Sequence, residues 1–275
     1  MSPKSLSFVC VSTIILVVSE SQNTLNDVLF SGNYEFIDLT HPYDNSTIYW
    51  PGTQKFVFTK KIAGYRRDGT WYAANDFASG EHGGTHIDAP YHFTKSGQSV
   101  GDLPVETLIA SLIVVDVSSM VNDDENFVLY KYHLKYLLNY NCDKTCLIIF
   151  KFGWSKYFND RNKYLGIEEN TDTLKFPGLS NEIAEWITTS YKTVVGIGVD
   201  VASVDPGSSD EFRVHKTLSQ KGIYNIENVN LNLNRTIPEF GCTALVMPML
   251  ISQGTGAPVR LIAICPKVVP ALYNV

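Results

Sequence analysis

The sequence is poor in charge and contains no basic run. Charged residues make up 18% of its 275 residues, and 28 Asp and Glu against 22 Lys and Arg give a net charge of −6. Proteins that bind nucleic acid concentrate Lys and Arg on one surface, so the composition predicts no nucleic-acid partner. After the first thirty residues, no apolar run approaches the roughly 20 residues that span a bilayer. The 19 glycines and 12 prolines disfavour a long helical bundle and leave an ordinary globular chain.

Two glycine pairs lack the residues that nucleotide binding requires. Gly196-Ile-Gly198 has no third glycine in register, and no helix pattern opens there. Gly254-Thr-Gly256 lacks the Lys and Ser or Thr of a phosphate-binding loop. We therefore predict no organic cofactor.

The N-terminus has the three parts of a secretory signal peptide. Lys4 precedes a largely apolar stretch from Leu6 to Val18, and small residues follow at Ser19 and Ser21. The alternative is a membrane anchor, but the stretch is shorter than the roughly 20 residues that span a bilayer. We predict cleavage near Ser21, residues 22–275 as the mature domain, secretion, and no membrane association after cleavage.

Four cysteines remain after cleavage, an even number that permits disulfides in an oxidising compartment. Cys142 and Cys146 lie in a polar connector and suit a small loop closure. Cys242 and Cys265 lie in apolar runs, where buried free thiols are an equal alternative. The sequons that begin at Asn45 and Asn234 predict glycans if they are exposed.

Short apolar runs rich in β-branched residues recur along the mature chain without an internal repeat or linker. Several are apolar throughout, as in strands covered on both faces. The predicted strands are Tyr34–Leu39, Phe56–Thr59, Leu112–Val117, Cys146–Phe152, Thr193–Val201, Thr243–Ile251 and Val259–Cys265. The predicted helices are Tyr130–Tyr140, Asn181–Tyr191 with Ser180 as N-cap, and Phe212–Lys221 ended by Gly222. Helices between strands in the second half predict one α/β domain.

Three of the six histidines fall within eleven residues, His82, His86 and His92, with Asp88 among them. Imidazole and carboxylate groups are ligands for Zn²⁺, Mn²⁺ or Fe²⁺. A straight strand would hold His82 and His86 about 13 Å apart, too far for one ion. A bend at Gly83-Gly84 removes this conflict, and a strand from Thr85 then points His86 and Asp88 to one side. The alternative is a set of unrelated histidines.

The run His82-Gly-Gly-Thr-His86-Ile-Asp88-Ala-Pro-Tyr-His92 resembles the signature of the metal-dependent cyclase/hydrolase superfamily, which includes bacterial kynurenine formamidases and isatin hydrolases. The resemblance extends from about Phe36 to the C-terminus. Its weaker parts are Ile37–Pro42, Trp50-Pro51-Gly52, Gly196–Pro206 with Ser203, Asp205 and Pro206 in place, and Gly254–Arg260. It implies a single layered α/β domain around a curved, barrel-like mixed sheet flanked by helices, and a homodimer or larger assembly.

The resemblance also implies two metal ions, Zn²⁺ or alternatively Mn²⁺. His82, His86 and Asp88 would hold the first ion. Asp88 would bridge to a second ion, held by His215 and, twelve residues later, Glu227. Some members keep one metal and a different residue at the glutamate position, so the presence of Glu227 favours the two-metal form.

By the same resemblance His92 is the general acid/base, a role that suits a proton carrier of near-neutral pKa beside a metal. The alternative for His92 is a third-shell residue or a second metal ligand. Trp50 would pack on an aromatic substrate, and its alternative is a core residue.

These residues predict a secreted protein with a hydrolytic metal site, and the resemblance implies that it cleaves a C–N bond of an amide. The resemblance supplies the substrate class, an aryl formamide such as N-formylkynurenine or a cyclic amide such as isatin. The alternative is a catalytically inactive secreted protein of the same fold that binds metal or a small ligand.

Overall fold

The computed structural model describes residues 24–134, 142–168 and 173–267. The strands are β1 Tyr34–Asp38, β2 Val57–Tyr65, β3 Trp71–Ala78, β4 His86–Asp88, β5 Ile109–Asp116, β6 Val128–Leu129, β7 Cys146–Lys151, β8 Gly178–Leu179, β9 Val194–Val199, β10 Tyr224–Glu227, β11 Cys242–Pro248 and β12 Gly256–Pro266. The α-helices are α1 Leu25–Leu29, α2 Ser118–Val121, α3 Arg161–Leu165, α4 Asn181–Ser190 and α5 Arg213–Ser219. Short 3₁₀ turns cover Pro90–His92, Val100–Asp102, Val105–Leu108, Lys131–Leu134 and Ser155–Tyr157.

Seven strands form a closed, barrel-like mixed sheet. Their order is β12-β11-β5-β7-β9-β10-β4, and β4 pairs back onto β12 to close the ring. The run from β5 to β10 is parallel and the other pairings are antiparallel, with β1 added outside the ring on β12. The α/β barrel-like fold expected from the sequence is confirmed.

The barrel strands are apolar throughout because both of their faces are covered. In β7, Leu147 and Ile149 point into one buried cluster, which fills the barrel, whereas Ile148 and Phe150 belong to a second cluster under the helices. Side chains alternate between the two faces of a strand. The seven predicted strand runs all overlap strands of the structure, although their bounds differ, most at β2, which continues to Tyr65.

The predicted helices are found in part. Helix α4 buries Ile183, Ala184 and Ile187, and α5 lies within the predicted run. Ser180 is the N-cap residue of α4, as predicted, although its side chain makes no capping hydrogen bond. In the predicted helix Tyr130–Tyr140, the described part holds only the 3₁₀ turn, and residues 135–140 lie outside the described residues.

Strands β2 and β3 form a separate hairpin, and β3 was missed because it contains polar and small residues in place of an apolar run. Nearly every side chain of the hairpin is exposed. Tyr65 and Trp71 meet near its tip with ring centroids 5.1 Å apart, and they are 77% and 56% exposed. The hairpin follows the Trp50 turn and leads into the histidine motif.

The four cysteines are paired. Cys142 pairs with Cys146, and Cys242 pairs with Cys265 across adjacent positions of β11 and β12, with Cα atoms 4.3 Å apart. The pairing favours the disulfide over the free-thiol alternative for Cys242 and Cys265.

The predicted signal peptide lies outside the described residues. Among the described helices, none has both the length and the apolar character to cross a bilayer.

Candidate metal centre

A bend at Gly83 and Gly84 brings His82 back toward β4, as the glycines predict. Gly84 has φ +56°, and a Cβ at Gly83 would collide with the ring of Tyr49, whose backbone bridges to Gly83. Glycine is therefore required at position 84 for the left-handed conformation and at position 83 for the close approach of the Tyr49 ring.

Strand β4 points His86 and Asp88 into one cavity and Ile87 into the barrel core. It lies between β10 and β12, and the antiparallel register with β10 places Glu227 opposite His86. The sheet thus explains how a glutamate far along the chain reaches the histidine motif.

Two groups of donor atoms share Asp88. In the first group, Asp88 Oδ1 lies 2.7 Å from His82 Nδ1 and 3.2 Å from His86 Nε2. In the second group, His215 Nε2 lies 3.2 Å from Asp88 Oδ2 and 3.0 Å from Glu227 Oε1. Within each group the donor atoms all lie within 4.8 Å of one another. The structure brings all five sequence-predicted ligands together, with Asp88 between the two groups.

Helix α5 presents His215, and Asp205 fixes both the helix start and the imidazole. Asp205 Oδ1 accepts a hydrogen bond from Val214 N at 2.9 Å, and Oδ2 accepts one from His215 N at 3.1 Å. The same Oδ2 lies 2.7 Å from His215 Nδ1. Asp205 therefore turns His215 Nε2 toward Asp88 and Glu227. Sequence reasoning placed Asp205 in a family segment but gave it no role.

The buried carboxylates dominate the electrostatics of the centre. Burial would raise the pKa of Asp88, but the charge of His82 and hydrogen bonds from His215 and His82 hold it well below its ordinary value. Burial would lower the pKa of His215, but hydrogen bonds to Asp205, Asp88 and Glu227 raise it well above the ordinary value. In the described part of the chain, no Lys or Arg forms an ion pair with Asp88 or Glu227.

This donor set fits a divalent cation. Two nearly inaccessible carboxylates and three imidazoles, with no basic side chain to balance them, form a site whose chemistry suits Zn²⁺ or Mn²⁺. A cation there would supply the positive charge that the histidines otherwise take up as protons.

His92 lies at the end of the 3₁₀ turn that follows β4, outside both donor groups. Its ring stacks on His82 and is open to the cavity on its other side. Partial burial lowers the pKa of His92 below its ordinary value, and the charge of His82 acts in the same direction, against the opposing effect of Asp88.

The donor groups lie on the wall of a cavity of about 250 Å³. Trp50, Phe93 and Phe212 form an aromatic side of this cavity, and Trp50 is half-buried with its ring centroid 5.9 Å from that of Phe212. Phe93 and Phe212 were not singled out in the sequence because aromatic residues beside a helix or turn resemble ordinary core residues.

The segment Gly97-Gln-Ser-Val-Gly101 has the Gly-x-Ser-x-Gly spacing of a serine hydrolase, which sequence reasoning overlooked. It begins a 3₁₀ turn, and Ser99 Oγ donates a hydrogen bond to Asp102 Oδ2 at 2.6 Å in a capping box. No histidine is among the described hydrogen-bond partners of Ser99. The segment therefore lacks the strand, helix and base of a nucleophile elbow.

Comparisons with known proteins agree with this geometry. The Cyclase family model matches residues 37–206. Kynurenine formamidase from Bacillus cytotoxicus is 30% identical over 232 residues, which cover 83% of this chain and 96% of that protein. Isatin hydrolase A from Ralstonia solanacearum is 27% identical with a TM-score of 0.78, covering 90% of this chain and 99% of that one. An isatin hydrolase bound to the product analogue thioisatinate is 27% identical with a TM-score of 0.77, covering 88% of this chain and 97% of that one.

Proposed function

The chain belongs to the Cyclase family, and on this premise we propose that it is a metal-dependent hydrolase of an amide C–N bond, with an aryl formamide or a cyclic aryl amide as substrate. The observation that carries the proposal is a pair of donor groups that share Asp88 on the wall of a cavity with an aromatic side. The names of the relatives, kynurenine formamidase and isatin hydrolase, support the amide class.

The proposed metal content is two ions, Zn²⁺ or alternatively Mn²⁺. His82, His86 and Asp88 would hold one ion, and Asp88, His215 and Glu227 the other. When bound, a divalent cation polarises a carbonyl oxygen and lowers the pKa of water toward about 7.

The protein's own side chains position the substrate and move the proton. Trp50 stacks on the aromatic ring of the substrate and keeps its carbonyl group near the donor groups. His92 is neutral at pH 7, so its free nitrogen takes the proton of the attacking water and then gives it to the departing amide nitrogen. Water adds to the carbonyl carbon and the C–N bond breaks, which gives an amine and a carboxylic acid, both in one molecule when the amide is cyclic. The acid then releases its proton to solvent.

A substrate screen on the purified, Zn²⁺- or Mn²⁺-supplemented protein tests the proposal. Aryl formamides and isatin-like lactams are compared with aliphatic amides and lactones. We expect hydrolysis of the aryl amides and its loss in His86→Ala, which removes a ligand. Bound metal without hydrolysis across the panel would contradict the enzyme and favour the metal-binding or ligand-binding alternative.

The proposal includes secretion after removal of residues 1–21. The three-part N-terminal pattern supports it, as do the two cysteine pairs and the exposure of both sequon residues, Asn45 and Asn234. Protein secreted from a eukaryotic host should begin at Gln22 and lose mass on treatment with a glycosidase. A chain that stays in the membrane fraction with residues 1–21 attached would support the anchor alternative.

The proposal also includes self-association through the β2–β3 hairpin. An isolated two-stranded hairpin is marginally stable in water, yet this one exposes five aromatic side chains. Those side chains offer on the order of 500 Å² of surface, a large part of the roughly 800 Å² that each partner buries in a standard interface. Sedimentation should show a dimer or larger species, and Trp71→Ser with Tyr65→Ser should shift it toward monomer. A monomeric wild-type protein would contradict the proposed self-association.

A further inference from the structure

The His82 ring nitrogen that faces away from Asp88 is hydrogen-bonded to Thr255, which in turn is hydrogen-bonded to Glu81. The proposed chemistry uses neither of these two residues. Its Nε2 lies 2.8 Å from Thr255 Oγ1, and Thr255 Oγ1 lies 2.6 Å from Glu81 Oε2. The same Glu81 oxygen accepts hydrogen bonds from Thr255 N at 3.0 Å and Gly256 N at 3.2 Å. The turn before β12 is thereby attached to the residue next to His82.

The direction of these hydrogen bonds follows from the donors available. An ionised carboxylate only accepts, and a threonine hydroxyl has one hydrogen to donate. Because the Thr255 hydroxyl donates to Glu81, its oxygen can only accept from His82, so His82 Nε2 carries a hydrogen. His82 Nδ1 lies 2.7 Å from Asp88 Oδ1 and donates to it while no cation is bound, so it is the nitrogen whose lone pair becomes available to a metal ion that replaces this proton.

The other two histidines of the centre have the opposite arrangement. His86 Nδ1 lies 3.0 Å from the carbonyl oxygen of Gly84 and donates to it, which leaves Nε2 free to bind a metal. His215 Nδ1 donates to Asp205 and also leaves Nε2 free. His82 alone turns Nδ1 toward the shared aspartate.

The backbone of Gly256 packs closely against the same ring. A Cβ at position 256 would lie 2.5 Å from His82 Cε1, so only glycine leaves room for the imidazole in this orientation. The ring is thus enclosed by Gly256, by the Thr255 hydroxyl and by the stacked ring of His92.

We infer that Glu81 and Thr255 are positioning residues that fix the tautomer of His82 and make it bind the first metal ion through Nδ1, whereas His86 and His215 bind through Nε2. This inference rests on the metal centre of the proposed function. Without the Thr255 hydroxyl, nothing in the described structure holds the hydrogen on Nε2, and the ring loses its preference for one ligand atom.

The test uses the Zn²⁺-loaded protein with ¹⁵N-labelled histidine. Two-bond ¹H–¹⁵N correlation spectra identify the nitrogen that carries hydrogen and the one that binds the metal. We expect His82 to show a bound Nδ1 and a protonated Nε2. In Thr255→Val, which keeps the shape but removes the hydroxyl, chelator competition should show one Zn²⁺ bound about 10- to 100-fold more weakly, the usual effect of losing such a partner. Thr255→Ser keeps the hydroxyl and should restore both the affinity and the spectrum.

The outcomes separate this inference from the proposed function. Zn²⁺ bound through His82 Nε2, or equal Zn²⁺ affinity in Thr255→Val and the wild type, would overturn the inference alone. Binding through Nδ1 in a protein that hydrolyses no amide would support the inference and contradict the proposed activity. A wild-type chain that binds no Zn²⁺ would overturn both.

Discussion

The imidazole rings of His82 and His92 are stacked, with centroids 4.0 Å apart and an interplanar angle of 23°. A stacked ring is held in place without a hydrogen bond, so both nitrogens of His92 stay available to substrate and water. His92 lies outside both donor groups and makes no described ion pair with a carboxylate. This arrangement suits proton transfer better than metal binding.

His92→Ala should keep the bound metal but lose about 10²- to 10⁴-fold in turnover, the usual size of a general acid/base contribution. Metal analysis and steady-state kinetics on the same preparation measure both effects. His133→Ala serves as the matched control, because His133 lies outside the cavity. If His92→Ala is purified free of metal, His92 is a ligand and the assignment is wrong.

Glu227→Gln should lower the metal content from two ions per chain toward one. A neutral amide is a poorer ligand for a divalent cation than a carboxylate, and Glu227 belongs only to the second donor group. Elemental analysis of protein purified without chelator gives the ratio. His86→Ala, in the first group, should lose metal and activity together. Two ions retained in the Gln variant would remove Glu227 from the centre.

Trp50→Ala should raise KM for aryl amides about 3- to 10-fold, with a smaller change in kcat, because stacking stabilises ground and transition states alike. The ring also packs against Phe176 and Phe212, so Trp50→Phe is the control that keeps an aromatic wall. Aliphatic amides should be little affected. An equal loss on both substrate classes together with a lower Tm would identify Trp50 as a core residue.

The free energy of unfolding should decrease as the pH falls from 6.5 toward 4, because the unfolded chain protonates His41 more readily than the folded protein does. The ring is 7% exposed, stacks on Phe158 with centroids 3.6 Å apart, and has no hydrogen-bond partner for Nε2 in the described part of the chain. Burial lowers the pKa of His41 to about 4, so between these values the unfolded chain binds more protons than the folded one and stability rises with pH. The difference corresponds to about 3 kcal/mol at most.

His41→Phe keeps the stack and removes the titration. Its free energy of unfolding should match that of the wild type within about 1 kcal/mol at pH 7.5 and should exceed it at pH 4.5. Urea unfolding of both proteins at the two pH values measures the difference. A variant that loses as much stability as the wild type on acidification would show that His41 does not titrate in this window.

The first half of the metal centre follows from local sequence, because His82, His86 and Asp88 lie on one bend and one short strand. The left-handed backbone conformation of Gly84 and the alternation of side chains between the two faces of β4 are enough to bring these three residues together. The strands of the barrel are also predictable, since chain segments covered on both faces must be apolar.

The second half depends on sheet register, which no local pattern contains. Glu227 reaches the site because β10 pairs with β4 at one register, and a shift of one residue would turn its side chain into the barrel core. The role of Asp205 depends on where α5 begins. A Ser-x-Asp-Pro segment before a helix is the only local signal for it. Strand β3 could not be found from hydrophobicity, since its two faces are both exposed.

The ribosome synthesises this chain from its N-terminus, and the order of synthesis determines when the metal centre can form. His82, His86 and Asp88 are made early, but the contact of His82 with Thr255 spans 173 residues, and β4 has no partner until β10 and β12 are made. A nascent chain therefore carries the histidine motif without the strands that pair with β4 for most of its synthesis. Metal capture by the complete centre becomes a late event, because His215 and Glu227 are made long after the histidine motif. A product that stops short of β12 would keep all five donor residues but would lack one of the two strands that hold β4.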